Sequence, residues 1–366
     1  MDKRTEKQIG FAQDYTNYPK DRNGHIRGIL YLCPRFGKIS TSIYILNNFK
    51  FDKILIAYPE INIKKSWEKD FLRLKYTNSV TFTTHKSLDK HSDQDWDIVI
   101  LDEIHLLSEN QINVCKKFKT NILGLTGTMS KWTKAVLKND LNLPVISTYT
   151  IDQAISDNVI TDYEITVKMV DLDNKVINNY KGKKRTEKGQ FNALTAVISS
   201  LESLKKNTFF LKLARMRLII NSLAKLEATK KILKENKNER ILIFCGDTKN
   251  ADKLGCPTHH SKNRDKSIDK FDSFAEGDSK NNHMAVVKIG NTGITYKPLD
   301  KVIVNYFDSN PENLAQKINR CMALEYNNPD KKSYIWIISS TEEAELNWLK
   351  KALEFFDKSK VKYEKM

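Results

Sequence analysis

Cysteine is sparse in this chain and poorly placed for cross-linking. Its five thiols (Cys33, Cys115, Cys245, Cys256 and Cys321) form no close pair and no zinc-like spacing with histidine. That pattern excludes a disulfide-stapled scaffold and a structural zinc module, and it fits a reducing compartment. Long apolar runs are missing too: no segment approaches the roughly 20 residues of a membrane span. The start, Met1-Asp2-Lys3-Arg4-Thr5-Glu6, carries no apolar signal segment. A soluble, cytoplasmic protein without a membrane partner is expected. Acidic residues are in deficit, with 45 Asp and Glu against 61 Lys and Arg, for a formal charge of +16. Clustered cations gain free energy by releasing counterions from phosphates, so the imbalance points to a polyanion, with nucleic acid as the natural candidate.

With 366 residues, 40% hydrophobic and 29% charged, the chain has globular composition and room for two ordinary domains. No fixed-period repeat is present. Over residues 1–150, short apolar runs (Gly28–Leu32, Lys53–Tyr58, Val80–Thr83, Ile98–Leu101, Ile122–Leu125) alternate with helix-like stretches such as Thr41–Asn47 and Ile63–Leu74. This alternation predicts βαβ units and a parallel sheet. Residues 151–236 read as a connector, with a charged loop at Lys181–Arg185 and helical spacing from Leu211 to Asn236. A second α/β unit is expected over 237–366, with strands at Arg240–Cys245, Ala285–Ile289, Val302–Tyr306 and Ser333–Ile338 and a closing helix at Glu342–Phe356.

The most informative segment is Asp97-Ile98-Val99-Ile100-Leu101-Asp102-Glu103-Ile104-His105. Four apolar residues ending in two carboxylates read as a buried parallel strand whose carboxyl end faces a ligand crevice. Asp102 would hold Mg²⁺ there, and Glu103 would orient an attacking water. Upstream, Gly28 to Ser40 reads as strand, turn and helix start, where Arg35, Phe36 and Gly37 could cradle phosphates and Lys38 could reach the β- and γ-phosphates. The match to a phosphate loop is incomplete, because Leu32 takes the first glycine position and Ile39 the hydroxyl position after the lysine. Ser40, about 100° further round a helix, either substitutes as a metal ligand or leaves metal binding weakened.

The order and spacing of these segments resemble the superfamily 2 helicases and translocases, over nearly the whole chain. Cys33–Lys38 resembles motif I, Ile54–Pro59 motif Ia, Thr83–Ser87 motif Ib, Asp102-Glu103-Ile104-His105 a DEAH-type motif II and Thr126-Gly127-Thr128 motif III. In the second half Ile241–Cys245 resembles motif IV, Lys288–Ile294 motif V and Gln316–Arg320 the start of motif VI. The resemblance implies two RecA-like lobes, each a mostly parallel sheet flanked by helices, with ATP and Mg²⁺ in the cleft between them. It also implies residue roles. Pro59, Thr83, Thr84, His260 and Thr292 would contact nucleic acid; Gly293 and Gln13 would contact the nucleotide, Gln13 at adenine. Thr126 and Thr128 would couple the nucleotide site to lobe movement. Arg320 would neutralise charge on the γ-phosphate, and His105 would face Gln316. The family's second motif VI arginine is replaced by Ala323.

The compact form, the segment Ile151–Val167 and the connector before Arg217–Lys225 look most like phage-type DNA helicases that remodel branched recombination or replication intermediates. The expected function is therefore ATP-dependent helicase or translocase action on single-stranded, duplex or branched DNA, with RNA left open and replication or recombination proteins as further partners. Two rivals remain at this stage: a nucleic-acid-binding scaffold on a degenerate, non-hydrolysing nucleotide fold, and the motor subunit of a restriction or repair complex. Trp67 and Trp132 are expected to pack against a lobe.

Overall fold

The computed structural model describes all residues except 1, 175–176, 181–182, 279, 288–295, 298, 325–327 and 329. The candidate motif V lies among the omitted residues, so Thr292 and Gly293 fall outside the described ones. The polypeptide divides between Thr161 and Asp162 into two compact units.

The first unit comprises α1 (Lys3–Thr16), β1 (Arg27–Leu32), α2 (Lys38–Asn48), β2 (Ile54–Tyr58), α3 (Ile63–Arg73), β3 (Thr81–Thr84), β4 (Ile98–Asp102), α4 (Glu109–Cys115), β5 (Asn121–Thr126), α5 (Lys131–Leu141), β6 (Val145–Tyr149) and α6 (Ile151–Ser156). Its six strands run parallel in the order β3-β2-β4-β5-β1-β6. The central strands are buried from end to end, which explains their unbroken apolar sequences: both faces are covered by helices, and no position needs to be polar. Register places Asp102 opposite Leu125 and Leu125 opposite Leu30, so the acidic end of β4 stands level with the end of β1.

The second unit comprises β7 (Asp162–Val170), β8 (Ile177–Tyr180), β9 (Lys183–Thr186), α7 (Glu187–Ser203), α8 (Phe209–Ile220), α9 (Leu223–Glu235), β10 (Ile241–Cys245), α10 (Thr248–Asp252), β11 (Thr258–His259), α11 (Arg264–Glu276), β12 (His283–Val287), β13 (Lys301–Val304), α12 (Pro311–Ile318), β14 (Lys332–Ser340), α13 (Glu343–Ala352) and β15 (Val361–Lys365). Seven of these strands form a parallel sheet in the order β11-β12-β10-β13-β14-β7-β15. Both units are thus α/β, parallel sheets flanked by helices, as in the RecA-like lobes of helicases.

Two expectations change here. The boundary falls at Thr161/Asp162 rather than at residue 150, because β7 hydrogen-bonds between β14 and β15 of the second sheet. The Lys181–Arg185 segment is not wholly a loop: Lys183–Thr186 forms β9, antiparallel to β8.

A buried ion pair ties α9 to α13 in the second unit. Lys225 Nζ donates to Glu345 Oε1 at 2.6 Å, with the two side chains 1% and 2% exposed. The other carboxylate oxygen, Glu345 Oε2, accepts from the Ser340 backbone N–H at 2.6 Å. Pairing plus hydrogen bonding is what offsets the desolvation of buried charged side chains.

Candidate functional site in the first unit

The carboxyl ends of β1, β4 and β5 lie side by side, and each runs into one of the segments singled out by sequence. After β1 the chain turns through Arg35 and Gly37, both in the left-handed region at φ 68° and 104°, before α2 begins at Lys38. Its N-cap residue is Gly37, which has no side chain to cap the helix. The first-turn N–H groups and the positive end of the helix dipole therefore face the loop, an arrangement suited to an anion. Gly37 is needed twice: its φ disfavours an L side chain, and a Cβ there would meet Gln8 Nε2 at 2.3 Å.

Lys38 Nζ donates to Glu103 Oε1 at 2.5 Å. Burial lowers the lysine's pKa, but Glu103 and Asp102 outweigh that and hold it above its ordinary value, so the ammonium stays charged. Glu103 sits at φ 49°, a left-handed turn just after β4 that swings its carboxylate away from the strand. Asp102 ends the strand, 4% exposed, with Oδ1 accepting from the Glu103 N–H at 3.0 Å and Oδ2 accepting from Trp67 Nε1 at 3.1 Å. Burial pushes its carboxyl up to about 6, even with Lys38 opposing the shift. Two carboxylates against one ammonium in a largely dry corner form a donor set with excess negative charge. That set suits a divalent cation. Mg²⁺ ordinarily takes one or two carboxylates plus substrate phosphates, and Asp102 is placed to supply one.

His105 completes the cluster. Its Nδ1 lies 2.8 Å from Thr126 Oγ1 and 3.5 Å from Glu103 Oε2. Thr126 Oγ1 has one proton, which goes to the Thr128 carbonyl, an acceptor only. The imidazole must then carry its proton on Nδ1 and donate to Thr126, leaving Nε2 as the bare nitrogen. Burial lowers the pKa of His105, outweighing the opposing pull of Glu103, so the neutral form is favoured. The Thr126-Gly127-Thr128 turn also packs closely on the loop after β1, since a Cβ on Gly127 would meet Pro34 Cγ at 2.9 Å. Asp102–His105, Thr126–Thr128 and the loop after β1 therefore form one packed unit. Pro59 follows β2, while Thr83 and Thr84 end β3, on the same carboxyl edge; Thr84 is in register with Tyr58.

Several expected residues are placed elsewhere. Ser40 is 3% exposed, donating to Asp70 Oδ2 at 3.1 Å and accepting from Arg73 Nη2 at 2.6 Å, so α3 holds the hydroxyl that was to join Asp102 on a metal. Gln13 lies exposed on α1. Gln8 is the buried glutamine of that helix, and it donates to the Phe36 carbonyl of the loop after β1 at 2.8 Å. His260 is 3% exposed, its Nε2 engaged with Asp252 Oδ1 at 3.0 Å and its Nδ1 accepting from the Lys262 N–H at 3.3 Å. That imidazole is a loop clasp, with no ring nitrogen left to offer a strand. Gln316 lies on α12, and Arg320 follows two residues after its end. The Ala323 carbonyl accepts from Lys331 Nζ. Trp67 is fully buried, as expected, whereas Trp132 is 75% exposed.

Sequence reading missed Trp67 and Gln8 as parts of the site. Trp67 gave no signal, because nothing in its spacing connects α3 to Asp102. Gln8 carried a weak one: it is the glutamine on the same stripe of α1 as the buried Ala12 and Tyr15.

Comparison with known proteins adds family context. Residues 224–324 match the helicase conserved C-terminal domain. Over 258 residues the chain is 24% identical to the DNA 3'-5' translocase XPB2 of Sulfurisphaera tokodaii, a match spanning 62% of this chain and 58% of that protein. Among solved structures, a variant of S. cerevisiae Dbp5 bound to RNA and ADP BeF3 is similar, with a TM-score of 0.60 at 13% identity, covering 98% of this chain and 89% of the other. A putative HsdR subunit fragment of a type I restriction enzyme from Vibrio vulnificus YJ016 gives 0.60 at 14% identity, covering 93% and 64%. The Pyrococcus furiosus Hef helicase domain gives 0.52 at 12% identity, covering 95% and 98%. The helicase likeness in sequence thus lies on residues 224–324, and the solved structures share the two-unit α/β fold.

Proposed function

We propose that this protein is an ATP-driven translocase that acts on DNA, with Lys38, Asp102 and Glu103 as its hydrolytic centre. The observation that carries the reading is the ion pair between Lys38 and Glu103 beside the buried Asp102, at the carboxyl ends of β1 and β4. The ordering of residues matches the chemistry of phosphoryl transfer, where catalysis is mostly positioning and charge stabilisation.

In this reading the loop Arg35–Gly37 and the start of α2 bind the nucleotide's phosphates, and Lys38 leaves Glu103 to pair with them. The carboxylate thus released accepts a hydrogen bond from water and aligns it for attack. Asp102, held by Trp67, would ligate Mg²⁺, which when bound supplies charge neutralisation on the phosphates. The neutral His105, protonated on Nδ1, links Glu103 to Thr126 and so to the loop at Thr128. Arg320 and Gln316 belong to the proposed machinery by their place in the helicase-like pattern. Ser40 is already satisfied by Asp70 and Arg73, so metal binding leans more on Asp102 than in a loop with a hydroxyl at position 39.

DNA as the track is supported by the charge of +16 and by the translocase relative. The narrower role is remodelling of branched replication or recombination intermediates, to which Pro59, Thr83 and Thr84 would contribute backbone contacts. The test is ATP turnover with no nucleic acid and with single-stranded, duplex and forked DNA. Turnover should rise several-fold with DNA, most on the forked substrate. A rate indifferent to every form of DNA contradicts the proposal.

A further inference from the structure

The helical pair α7 and α8 projects from the second unit with an apolar, basic tip. Its buried apolar side chains stop short of the tip: Phe191, Leu194 and Ile198 on α7 and Ile219 on α8, with Phe191 and Ile219 packed with Leu172, against Leu218, Ala344 and Trp348. From Phe191 to Leu204 the helix advances 13 residues, about 20 Å at 1.5 Å per residue. At that far end three large apolar side chains are bare, Leu204 at 60%, Phe209 at 62% and Phe210 at 78% exposure. The two phenylalanine rings meet edge to face at 5.4 Å. Exposed apolar groups clustered in this way mark interaction sites more often than accident.

The tip is held in shape. The end of α7 is a Schellman turn, with Lys205 N–H bonded to the Glu202 carbonyl and Lys206 N–H to the Leu201 carbonyl, both at 2.9 Å. Lys205 occupies the left-handed position at φ 53° where glycine is usual. Asn207 Oδ1 then accepts from the Phe209 N–H at 2.8 Å and starts α8. Around the rings stand exposed Lys205, Lys206 and Lys212, the last paired with Glu202 at 2.6 Å.

The geometry points to this tip as a stacking platform for unpaired bases of a DNA strand. A purely apolar partner would not call for lysines beside the rings, whereas a single strand offers both a π-face at every base and a phosphate at every step. The inference rests on the reading of the chain as a nucleic-acid motor, but its test does not depend on ATP. The experiment uses the full chain without nucleotide and a dT oligonucleotide bearing one 2-aminopurine, reading anisotropy and 2-aminopurine fluorescence. Phe209→Ala/Phe210→Ala should weaken strand binding by about tenfold or more and abolish the fluorescence change, by loss of stacking on one or two bases. Phe209→Trp/Phe210→Trp should retain both. Lys205→Ala/Lys206→Ala should reduce the salt dependence of binding while leaving the fluorescence change. Because these side chains are exposed, thermal unfolding of the variants should match the wild type, which controls for folding. Unchanged affinity and fluorescence in the double alanine variant overturn the proposal. So does a loss of self-association in sedimentation with DNA binding intact, which would assign the tip to a second copy of the chain. If the wild type shows no DNA-stimulated turnover while the alanine variant still loses strand binding, the motor reading fails and the platform stands.

Discussion

Trp67 Nε1 donates a hydrogen bond to Asp102 Oδ2 at 3.1 Å, with both side chains buried. The indole thus fixes one carboxylate oxygen of the residue proposed to hold Mg²⁺, in the way that outer partners orient metal ligands generally. Trp67→Phe keeps most of the volume and removes the donor. Binding of a fluorescent ADP analogue should then need several-fold more Mg²⁺ for half-saturation, while affinity without Mg²⁺ stays near that of the wild type. An unshifted Mg²⁺ requirement would show that the indole only fills space.

Gln8 and Gln13 make opposite predictions on one helix. Gln8→Ala removes a buried bond to the phosphate loop, worth ~1 kcal/mol as a typical hydrogen bond, and should weaken nucleotide binding by several-fold. Gln13→Ala, at an exposed position, should leave it unchanged. Isothermal titration with ADP distinguishes them, and the reverse result would restore Gln13 as the nucleotide contact.

The hydroxyl missing at position 39 can be put back. Ile39→Thr should raise Mg²⁺ affinity for the nucleotide complex several-fold, because Ser40 is occupied by Asp70 and Arg73. Ser40→Ala should leave Mg²⁺ affinity unchanged and lower only thermal stability. A weaker Mg²⁺ affinity in Ser40→Ala would mean that the serine leaves Asp70 and Arg73 to join the metal.

The pair Lys225 and Glu345 predicts a stability effect far from the proposed chemistry. Glu345→Ala strands a buried ammonium, which costs about 3–5 kcal/mol when one partner of such a pair is removed. Denaturant unfolding should report this as a lower midpoint. Lys225→Met/Glu345→Leu, which removes both charges, should recover most of the loss.

Legibility of the fold followed burial. Strands β2, β4 and β10 are buried at every position, so apart from the closing Asp102 of β4 their sequences are apolar runs that spacing alone can find. β7 hid because it carries Asp162, Glu164 and Lys168. Those charges are tolerated in the sheet because neighbours pair them: Glu164 with Lys332 at 3.2 Å and Lys362 at 3.0 Å, Asp162 with Lys360, Lys168 with Glu364. The site divides in the same way. Lys38, Asp102, Glu103 and His105 were legible because each sits within a few residues of a strand end. Trp67 was not, because its partner lies 35 positions away and no local rule connects them. Gln13 is read as the adenine contact from its place in a motif, yet the five residues from Gln8 to Gln13 turn the side chain by about 140° on a helix, from the buried stripe to solvent.

The central claim, that Lys38, Asp102 and Glu103 form a hydrolytic centre, is tested most directly by Glu103→Gln. The account predicts steady-state turnover of Mg·ATP with DNA falling by about 10²–10⁴-fold, the range typical of losing one positioned acid or base. Nucleotide affinity, read in the same preparation by a fluorescent ATP analogue, should stay within a few-fold of the wild type. Turnover by Glu103→Gln at the wild-type rate would contradict it.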